Sequence, residues 1–279
     1  MNNIIILIQC ADKTGIVASI ATVLAGYDLN IEAMREYVDV EASLFFARIA
    51  CSGSLLNQDL LQKKLKENLP HDASIIINPP SPKKLAVLVT KEYHCLGDIL
   101  SRNFFKTPET DVCAVIGNHD YLRSFTEGFN VPYYHVTTEG KSKDAFEEEV
   151  LQILDRYNPD YLVLAKFMRI LSPEFLARYP NRAINIHHSF LPAFAGAHPY
   201  RRAFERGVKL IGATAHFVTP ELDAGPIISQ QTIKIDHTYT VAQMVEAGQE
   251  VEKTVLSRAL KLVARDQVFI SGNKTVVFE

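Results

Sequence analysis

The chain has 279 residues, of which 47% are hydrophobic and 22% charged, and its net charge is −3 at pH 7. This composition is typical of a globular protein long enough for two domains, and the charge offers no basic surface for nucleic acid or an anionic membrane. No apolar run approaches the ~20 residues of a membrane span, and the start MNNIIILIQC is too short and uncharged for a signal peptide. The four cysteines show no paired spacing, so we expect reduced thiols in a cytoplasmic protein.

The first 78 residues predict a small α+β domain. Strand-like apolar runs occupy 4–10, 30–39, 44–51 and 73–78, and amphipathic helical stripes occupy 14–26 and 54–68. The resulting order, β-α-β-β-α-β, is the ferredoxin-like arrangement. Three prolines then fall within residues 79–84, which predicts a stiff linker between domains.

Residues 85–279 predict a doubly wound α/β domain with a mainly parallel sheet, because strands alternate with helices. The expected strands are 85–89, 111–117, 131–136, 161–165, 183–187, 209–218 and 227–235. The expected helices lie near 97–105, 119–128, 141–157, after Pro173, near 199–206 and at 240–264. The tail QVFISGNKTVVF predicts a hairpin that turns at 271–273.

Asn185 and His187 interrupt the apolar strand AINIH (183–187). Strand side chains alternate, so both point to one face, near the carboxyl edge where parallel sheets bind ligands. Asp223 precedes Ala-Gly-Pro at the start of the strand near 227–235. An amide and an imidazolium can stabilise an oxyanion while a carboxylate orients a water and takes its proton, so the three groups suit attack on a carbonyl. A satisfied polar pair on the strand and a turn-forming Asp are the structural alternatives.

The remaining histidines and cysteines predict no metal centre. His188 adjoins His187, but no acidic or cysteine partner lies at ligand spacing, so neither a metal nor another cofactor is expected. His216, in ATAHFV, is expected to line or support the site. Roles for five further residues stay open: His94, Cys95, His119, His135 and His198.

Two segments resemble the folate-dependent formyltransferases over roughly residues 85–235. The stretch INIHHSFLPAFAGAHPYRRAFERGVKLIGATAHFVTPELDAGPIISQ is similar to their catalytic segment, and LAKFMRILSPEF (164–175) is similar to their folate-binding segment. The resemblance implies that Asn185, His187 and Asp223 form the catalytic trio. It also implies that the pterin of a folate substrate is held by Phe167, Met168, Arg169, Ile170 and Leu171.

The stretch ADKTGIVASIATVLAGYDLNIEA resembles an ACT domain, a ferredoxin-like module that pairs between subunits and binds small amino acids. This resemblance implies a homo-oligomer and an effector site at Asp12, Gly15 and Asn30. Helix capping by Asp12 and relaxation of the turn by Gly15 are the structural alternatives. An ACT domain before a formyltransferase domain resembles the formyltetrahydrofolate deformylase family, which implies release of formate for purine biosynthesis and balance of the folate pools.

The loop VTKEYHCLGDIL (89–100) favours water over an amine as the formyl acceptor. It offers Lys91, Glu92, Tyr93 and His94, with no glycine before Gly97, whereas glycine-rich loops cradle phosphate through backbone N–H groups. A phosphorylated amine is therefore a poor fit. Transfer to an unphosphorylated amine is one alternative. A binding protein that senses folate and amino acids is another, against which the intact Asn-His-Asp set argues.

Overall fold

A computed structural model describes residues 3–106, 110–192 and 199–279, so His198 lies outside the described residues. The chain divides into two compact units. The N-terminal unit contains the residues up to Pro80 together with Asp266–Ser271 and Thr275–Glu279, and the second unit contains Ser81–Arg265 and Gly272–Lys274. Among the described helices, none combines the length and apolar character needed to cross a membrane.

The N-terminal unit has the predicted β-α-β-β-α-β order. Its elements are β1 (Asn3–Ala11), α1 (Ile16–Ala25), β2 (Asn30–Asp39), β3 (Leu44–Ser52), α2 (Gln58–Asn68) and β4 (Ser74–Ile77). They form a sheet of order β2-β3-β1-β4 in which all neighbours are antiparallel. The ferredoxin-like topology predicted from the sequence is therefore confirmed.

Alternation along β1 creates the core of this unit. Ile4, Ile6, Ile8 and Cys10 all point to one face and are buried. The apolar stripes of α1 and α2 cover that face, and burial of these side chains is the main source of stability.

The opposite face of the sheet is covered by the end of the chain. Strands β12 (Val268–Ser271) and β13 (Lys274–Val277) form the predicted hairpin, and the ring of Phe269 lies 5.8 Å from that of the buried Phe46. The Ser271 hydroxyl donates to the Asp39 carboxylate at 3.1 Å. The sequence places 85–279 in the second domain, but most of 266–279 packs with the N-terminal unit because Phe46 offers an apolar surface there.

The second unit begins earlier than predicted, since Lys83 and Lys84 belong to its first strand and not to the linker. Its elements are β5 (Lys83–Val89), α3 (His94–Phe104), β6 (Thr110–Gly117), α4 (Arg123–Glu127), β7 (Tyr133–His135), α5 (Lys143–Tyr157), β8 (Tyr161–Leu164), α6 (Pro173–Ala177), β9 (Ala183–His187), α7 (Pro199–Arg206), β10 (Leu210–Phe217), β11 (Ile227–Lys234) and α8 (Val241–Ala264). A 3-10 turn at Asp120–Leu122 precedes α4.

Within the described part of this unit, seven strands form a sheet of order β11-β10-β9-β8-β5-β6-β7. Strands β5 to β9 are mutually parallel, and β10 runs antiparallel to both β9 and β11. The run Ala86–Val89 is fully buried, as expected for a strand covered by helices on both faces. The prediction of a mainly parallel doubly wound sheet is confirmed, and its carboxyl edge near β8 and β9 carries the residues described next.

Candidate active site

Strands β9 and β10 bring four polar side chains to one face of the sheet. In their antiparallel register, Asn185 lies opposite His216 and His187 lies opposite Thr214. Residues directly opposite each other share a face, as do residues two apart, so these four side chains are neighbours. This register agrees with the prediction that Asn185 and His187 point the same way.

His216 is a neutral imidazole with a defined tautomer. Its Nδ1 lies 2.8 Å from the Phe217 carbonyl oxygen, so Nδ1 carries the proton and donates it to that carbonyl. Burial lowers the pKa of His216, which the carbonyl contact and Asp223 only partly oppose. The unprotonated Nε2 therefore accepts an N–H from the Asn185 amide at 3.3 Å. This bond orients Asn185 and leaves its second amide hydrogen for a ligand.

Asp223 completes the group from the turn after β10. Its Oδ1 lies 3.4 Å from His187 Nδ1 and 3.8 Å from His216 Nε2. The hydrogen bond from His187 holds the pKa of the Asp223 carboxyl below its ordinary value, against the opposing effect of burial. A carboxylate that stays ionised at neutral pH therefore holds the imidazole of His187. The Nε2 of His187 is buried and has no hydrogen-bond partner among the described residues.

The backbone of the Asp223 turn depends on two unusual positions. Asp223 has φ = 55°, a left-handed conformation that Asp tolerates better than most residues. At Gly225, a Cβ atom would lie 1.8 Å from the Phe217 carbonyl oxygen, the same oxygen that accepts from His216. Glycine at 225 therefore lets the turn pack closely against the end of β10 and sets the place of the carboxylate.

A cleft of about 360 Å³ connects the polar side chains of Asn185, His187, His216 and Asp223 with the predicted folate-binding segment. Its lining includes Phe167–Leu171 from the loop after β8, together with Asn185, His187, His216 and Asp223. Met168 and Ile170 are 60% and 63% exposed, so they present apolar surface to a ligand. The structure thus brings together every residue predicted for catalysis and for folate binding.

A second buried polar cluster surrounds Glu252 of α8. The carboxylate is fully buried and accepts hydrogen bonds at 2.7 Å from both His94 Nε2 and the Tyr200 hydroxyl, and Lys166 Nζ lies 3.2 Å away. Burial by itself would raise the pKa of Glu252, but the contacts with His94, Lys166 and Tyr200 outweigh it and lower the pKa to about 2. Sequence reasoning missed this cluster, although a charged residue inside the apolar stripe of α8 is a usable signal.

Three possible metal ligands in this cluster, His94, Cys95 and Glu252, lie within 4.8 Å of one another. The Glu252 carboxylate is, however, already paired with the Lys166 ammonium, which competes with a cation for the same oxygens. Burial also raises the pKa of the Cys95 thiol well above its usual value. Both effects oppose a metal ion. His94 and Cys95 belong to the first turn of α3, where the sequence predicts a loop.

The predicted effector residues do not form one group within the chain. Asp12 follows the end of β1, and Gly15, with φ = 92°, is the N-cap residue of α1, so Asp12 does not occupy the cap position. Asn30 pairs with Ser52 at the opposite end of β3, roughly 25 Å from the Asp12 end at ~3.4 Å per residue. Within one chain Asn30 is distant from Asp12 and Gly15, because β2 runs parallel to β1 and starts at the far end of the sheet, and its place in an effector site stays a prediction.

His119, His135 and three of the cysteines, Cys10, Cys51 and Cys113, are not among the described residues that line the cleft. His119 follows β6 and His135 ends β7. All four cysteines are free. Burial raises the pKa of Cys10, Cys51 and Cys113 to about 11, so their thiols stay protonated and weakly reactive.

Known proteins resemble this chain in two ways: a family model matches most of the second unit, and individual relatives match nearly the whole chain. The family model described as "Formyl transferase" matches residues 83–260. A formyltetrahydrofolate deformylase from Haemophilus influenzae is 50% identical over 98% of both chains. The crystal structure of a formyltetrahydrofolate deformylase from Pseudomonas syringae pv. tomato superposes with a TM-score of 0.93 at 38% identity, covering 99% of this chain and 94% of that one. A glycinamide ribonucleotide transformylase from Symbiobacterium toebii matches 71% of this chain and 94% of that one, at 30% identity and a TM-score of 0.68.

Proposed function

We propose that this chain, which belongs to the formyl transferase family, hydrolyses formyltetrahydrofolate to formate and tetrahydrofolate. The observation that carries the proposal is the meeting of Asn185, His187 and Asp223 in the cleft that also holds Phe167–Leu171. The relatives that match over nearly the whole chain are deformylases, whereas the transformylase matches 71% of it.

The substrate binds with its pterin ring against Phe167–Leu171 and its formyl group beside Asn185 and His187. Apolar side chains in this segment supply contact area, and its backbone supplies hydrogen-bonding groups. The cleft of about 360 Å³ lies within the range of small-molecule sites.

Hydrolysis proceeds by attack of a water on the formyl carbon. Asp223 and His187 hold the water, and its oxygen forms a bond to the carbon as Asp223 accepts a proton, directly or through solvent. Asn185 donates its second amide hydrogen to the developing oxyanion, and a protonated His187 donates from Nε2. Collapse of the tetrahedral intermediate breaks the carbon–nitrogen bond as the leaving tetrahydrofolate nitrogen takes up the proton that Asp223 accepted, directly or through solvent. The formic acid that is released ionises to formate.

The start of α3 supports water as the acceptor. His94 is buried there and bonded to Glu252, and Tyr93 is 63% exposed, so side chains occupy the position where a phosphate-binding loop needs bare backbone. Transfer to an unphosphorylated amine is separated from hydrolysis by product analysis.

The reaction as proposed needs no metal or other cofactor, because the ionised Asp223 and the two donors suffice for attack by water. We expect undiminished hydrolysis after prolonged dialysis against a chelator. Loss of activity that zinc or another divalent ion restores would contradict this part of the proposal.

The N-terminal unit is proposed to be an ACT domain that binds a small amino acid and mediates homo-oligomer formation. Asp12, Gly15 and Asn30 are its candidate effector residues. A thermal shift on adding small amino acids, together with the molar mass from light scattering, tests both points. We also propose a cytoplasmic location, consistent with the free cysteines, and a role of the released formate in purine biosynthesis.

The deciding experiment incubates the purified protein with formyltetrahydrofolate in buffer that contains no amine. Formate and tetrahydrofolate are expected in equal amounts, and Asp223→Asn is expected to lose at least ~10² of the rate, as for loss of one key polar group. Formation of formate only after an amine is added, or only as a formylated amine, would replace hydrolysis with transfer.

A further inference from the structure

Lys166 adopts a backbone conformation that lysine rarely takes. Its φ is 61°, in the left-handed region, and it directly precedes Phe167–Leu171. An L-residue with a long side chain populates the left-handed conformation roughly 5–30 times less than the right-handed one, whereas Asn and Asp tolerate it better. A strained residue next to a binding segment implies that other groups hold it in place.

The side chain of Lys166 supplies that restraint. It is only 6% exposed, and its Nζ lies 3.2 Å from Glu252 Oε2 and 3.4 Å from His188 Nδ1. Glu252 is in turn fixed by the hydrogen bonds from His94 and Tyr200. The ammonium is therefore held by a carboxylate that residues of two other helices, His94 of α3 and Tyr200 of α7, keep in position.

The helix that carries Glu252 is shaped for this contact. Gly248 lies one turn before Glu252, and a Cβ atom there would lie 2.2 Å from both Cζ and the hydroxyl oxygen of Tyr200. Because Gly248 has no Cβ, the Tyr200 ring can cross α8 at this point and reach Glu252. This room comes at a cost to the helix, since glycine is unfavourable in a helix interior.

Hydrogen bonds fix the rest of the binding segment. The Met168 N–H donates to the Thr90 hydroxyl at 2.9 Å, and Ser172, just beyond Leu171, donates from its N–H to Glu147 at 2.8 Å and from its hydroxyl to the same carboxylate. The entry to the segment, at residue 166, instead depends on the ion pair.

We propose that Lys166 and Glu252 are positioning residues whose buried ion pair holds residue 166 left-handed and presets Phe167–Leu171 for the pterin ring. The inference rests on the proposed function, since it assigns that segment to the substrate. Neither residue contacts the reacting groups in this scheme, so the pair governs KM and leaves kcat largely unchanged.

Two double variants test the proposal: Lys166→Ala with Glu252→Gln, and Lys166→Gly with Glu252→Gln. Both remove both charges and so leave no lone buried charge, and they differ only in the Cβ atom at residue 166. Glycine adopts positive φ at little cost, whereas alanine does not. We expect KM for formyltetrahydrofolate to rise about tenfold in the alanine pair and to stay within about threefold of wild type in the glycine pair, with kcat within about threefold in both.

Equal KM values in the two double variants would overturn the inference, as would a loss confined to kcat. Hydrogen exchange of the Met168 amide provides a readout that needs no catalysis. Exchange about tenfold faster in the alanine pair than in the glycine pair supports the positioning role, and equal rates overturn it. If the wild-type protein releases no formate, the proposed function fails, while the exchange comparison still decides the role of the ion pair.

Discussion

Replacing Gly225 with alanine inserts a methyl group where the turn after β10 leaves no room. The new Cβ would lie 1.8 Å from the Phe217 carbonyl oxygen, whereas ordinary contacts begin near 3.4 Å. The turn or the end of the strand must therefore move by about 1.6 Å. The two nearest obstructing atoms are the backbone oxygen and carbon of Phe217, at 1.8 and 2.9 Å, so a side-chain rotation cannot relieve the overlap.

That displacement reaches the proposed catalytic groups in two ways. Asp223 is two residues before the substituted position, and the displaced carbonyl is the acceptor that fixes the tautomer of His216. A misplacement of about 1 Å can cost ~10² in rate, so we expect kcat/KM of Gly225→Ala to fall at least ~10². Overpacking costs typically 1–3 kcal/mol, so the variant should still fold.

The assay is initial-rate formate release, with thermal unfolding measured in parallel. Gly128→Ala is the matched control, because Gly128 has φ = −60° and its added Cβ would meet neighbours only at 3.4 Å. We expect kcat/KM of the control to remain within about twofold of wild type, because substitutions at exposed positions without close packing are nearly neutral. A folded Gly225→Ala protein with near-wild-type kcat/KM would refute the close-packing argument.

Three further predictions concern the site and its surroundings. Asn185→Ala and His187→Ala should each lower kcat by ~10²–10³ while folding normally, and near-normal formate release would remove that residue from the mechanism. The pKa of Glu252 falls from its usual 4.5 to about 2 in the folded protein, so ionisation of this carboxyl adds about 3 kcal/mol to the free energy of unfolding. That contribution is fully present above pH 4.5 and is lost as the pH falls towards 2. Acid titration of the unfolding free energy should therefore be steeper for wild type than for Glu252→Gln across that window. Gly248→Ala should lower the thermal midpoint of unfolding because the added Cβ would overlap the Tyr200 ring, although helix propensity alone favours alanine by about 1 kcal/mol. A raised midpoint would show that the Tyr200 ring can move aside at little cost.

Patterns within single elements predicted most of the fold and the central site. The period of two along β9 placed Asn185 and His187 on one face, and the strand boundaries 183–187 match the structure. The alternation of strands and helices predicted the doubly wound sheet, because burial on both faces leaves long apolar runs. The ends of elements were less accurate, as at α3, whose buried His94 extends the helix three residues earlier than expected.

Features that depend on contacts between distant elements could not be predicted. The pairing of Asn185 with His216 follows from the register of β9 against β10, which no local pattern encodes. The distance between Asn30 and Asp12 within one chain follows from the direction in which β1 and β2 pair with β3, which no local pattern encodes either. Glu252 lies 86 residues from Lys166 and 158 residues from His94 in the sequence, so only the folded chain reveals its role.

The hairpin of β12 and β13 makes the N-terminal unit discontinuous in sequence. Its sheet cannot be covered on the Phe46 side until residues 266–279 have been synthesised, and these follow the long segment Ser81–Arg265 of the second unit. During translation the nascent N-terminal unit therefore carries an uncovered apolar face that invites chaperone binding. A fragment ending at residue 80 would retain that face permanently, so the two ends of the chain must be kept together for the unit to be studied in isolation.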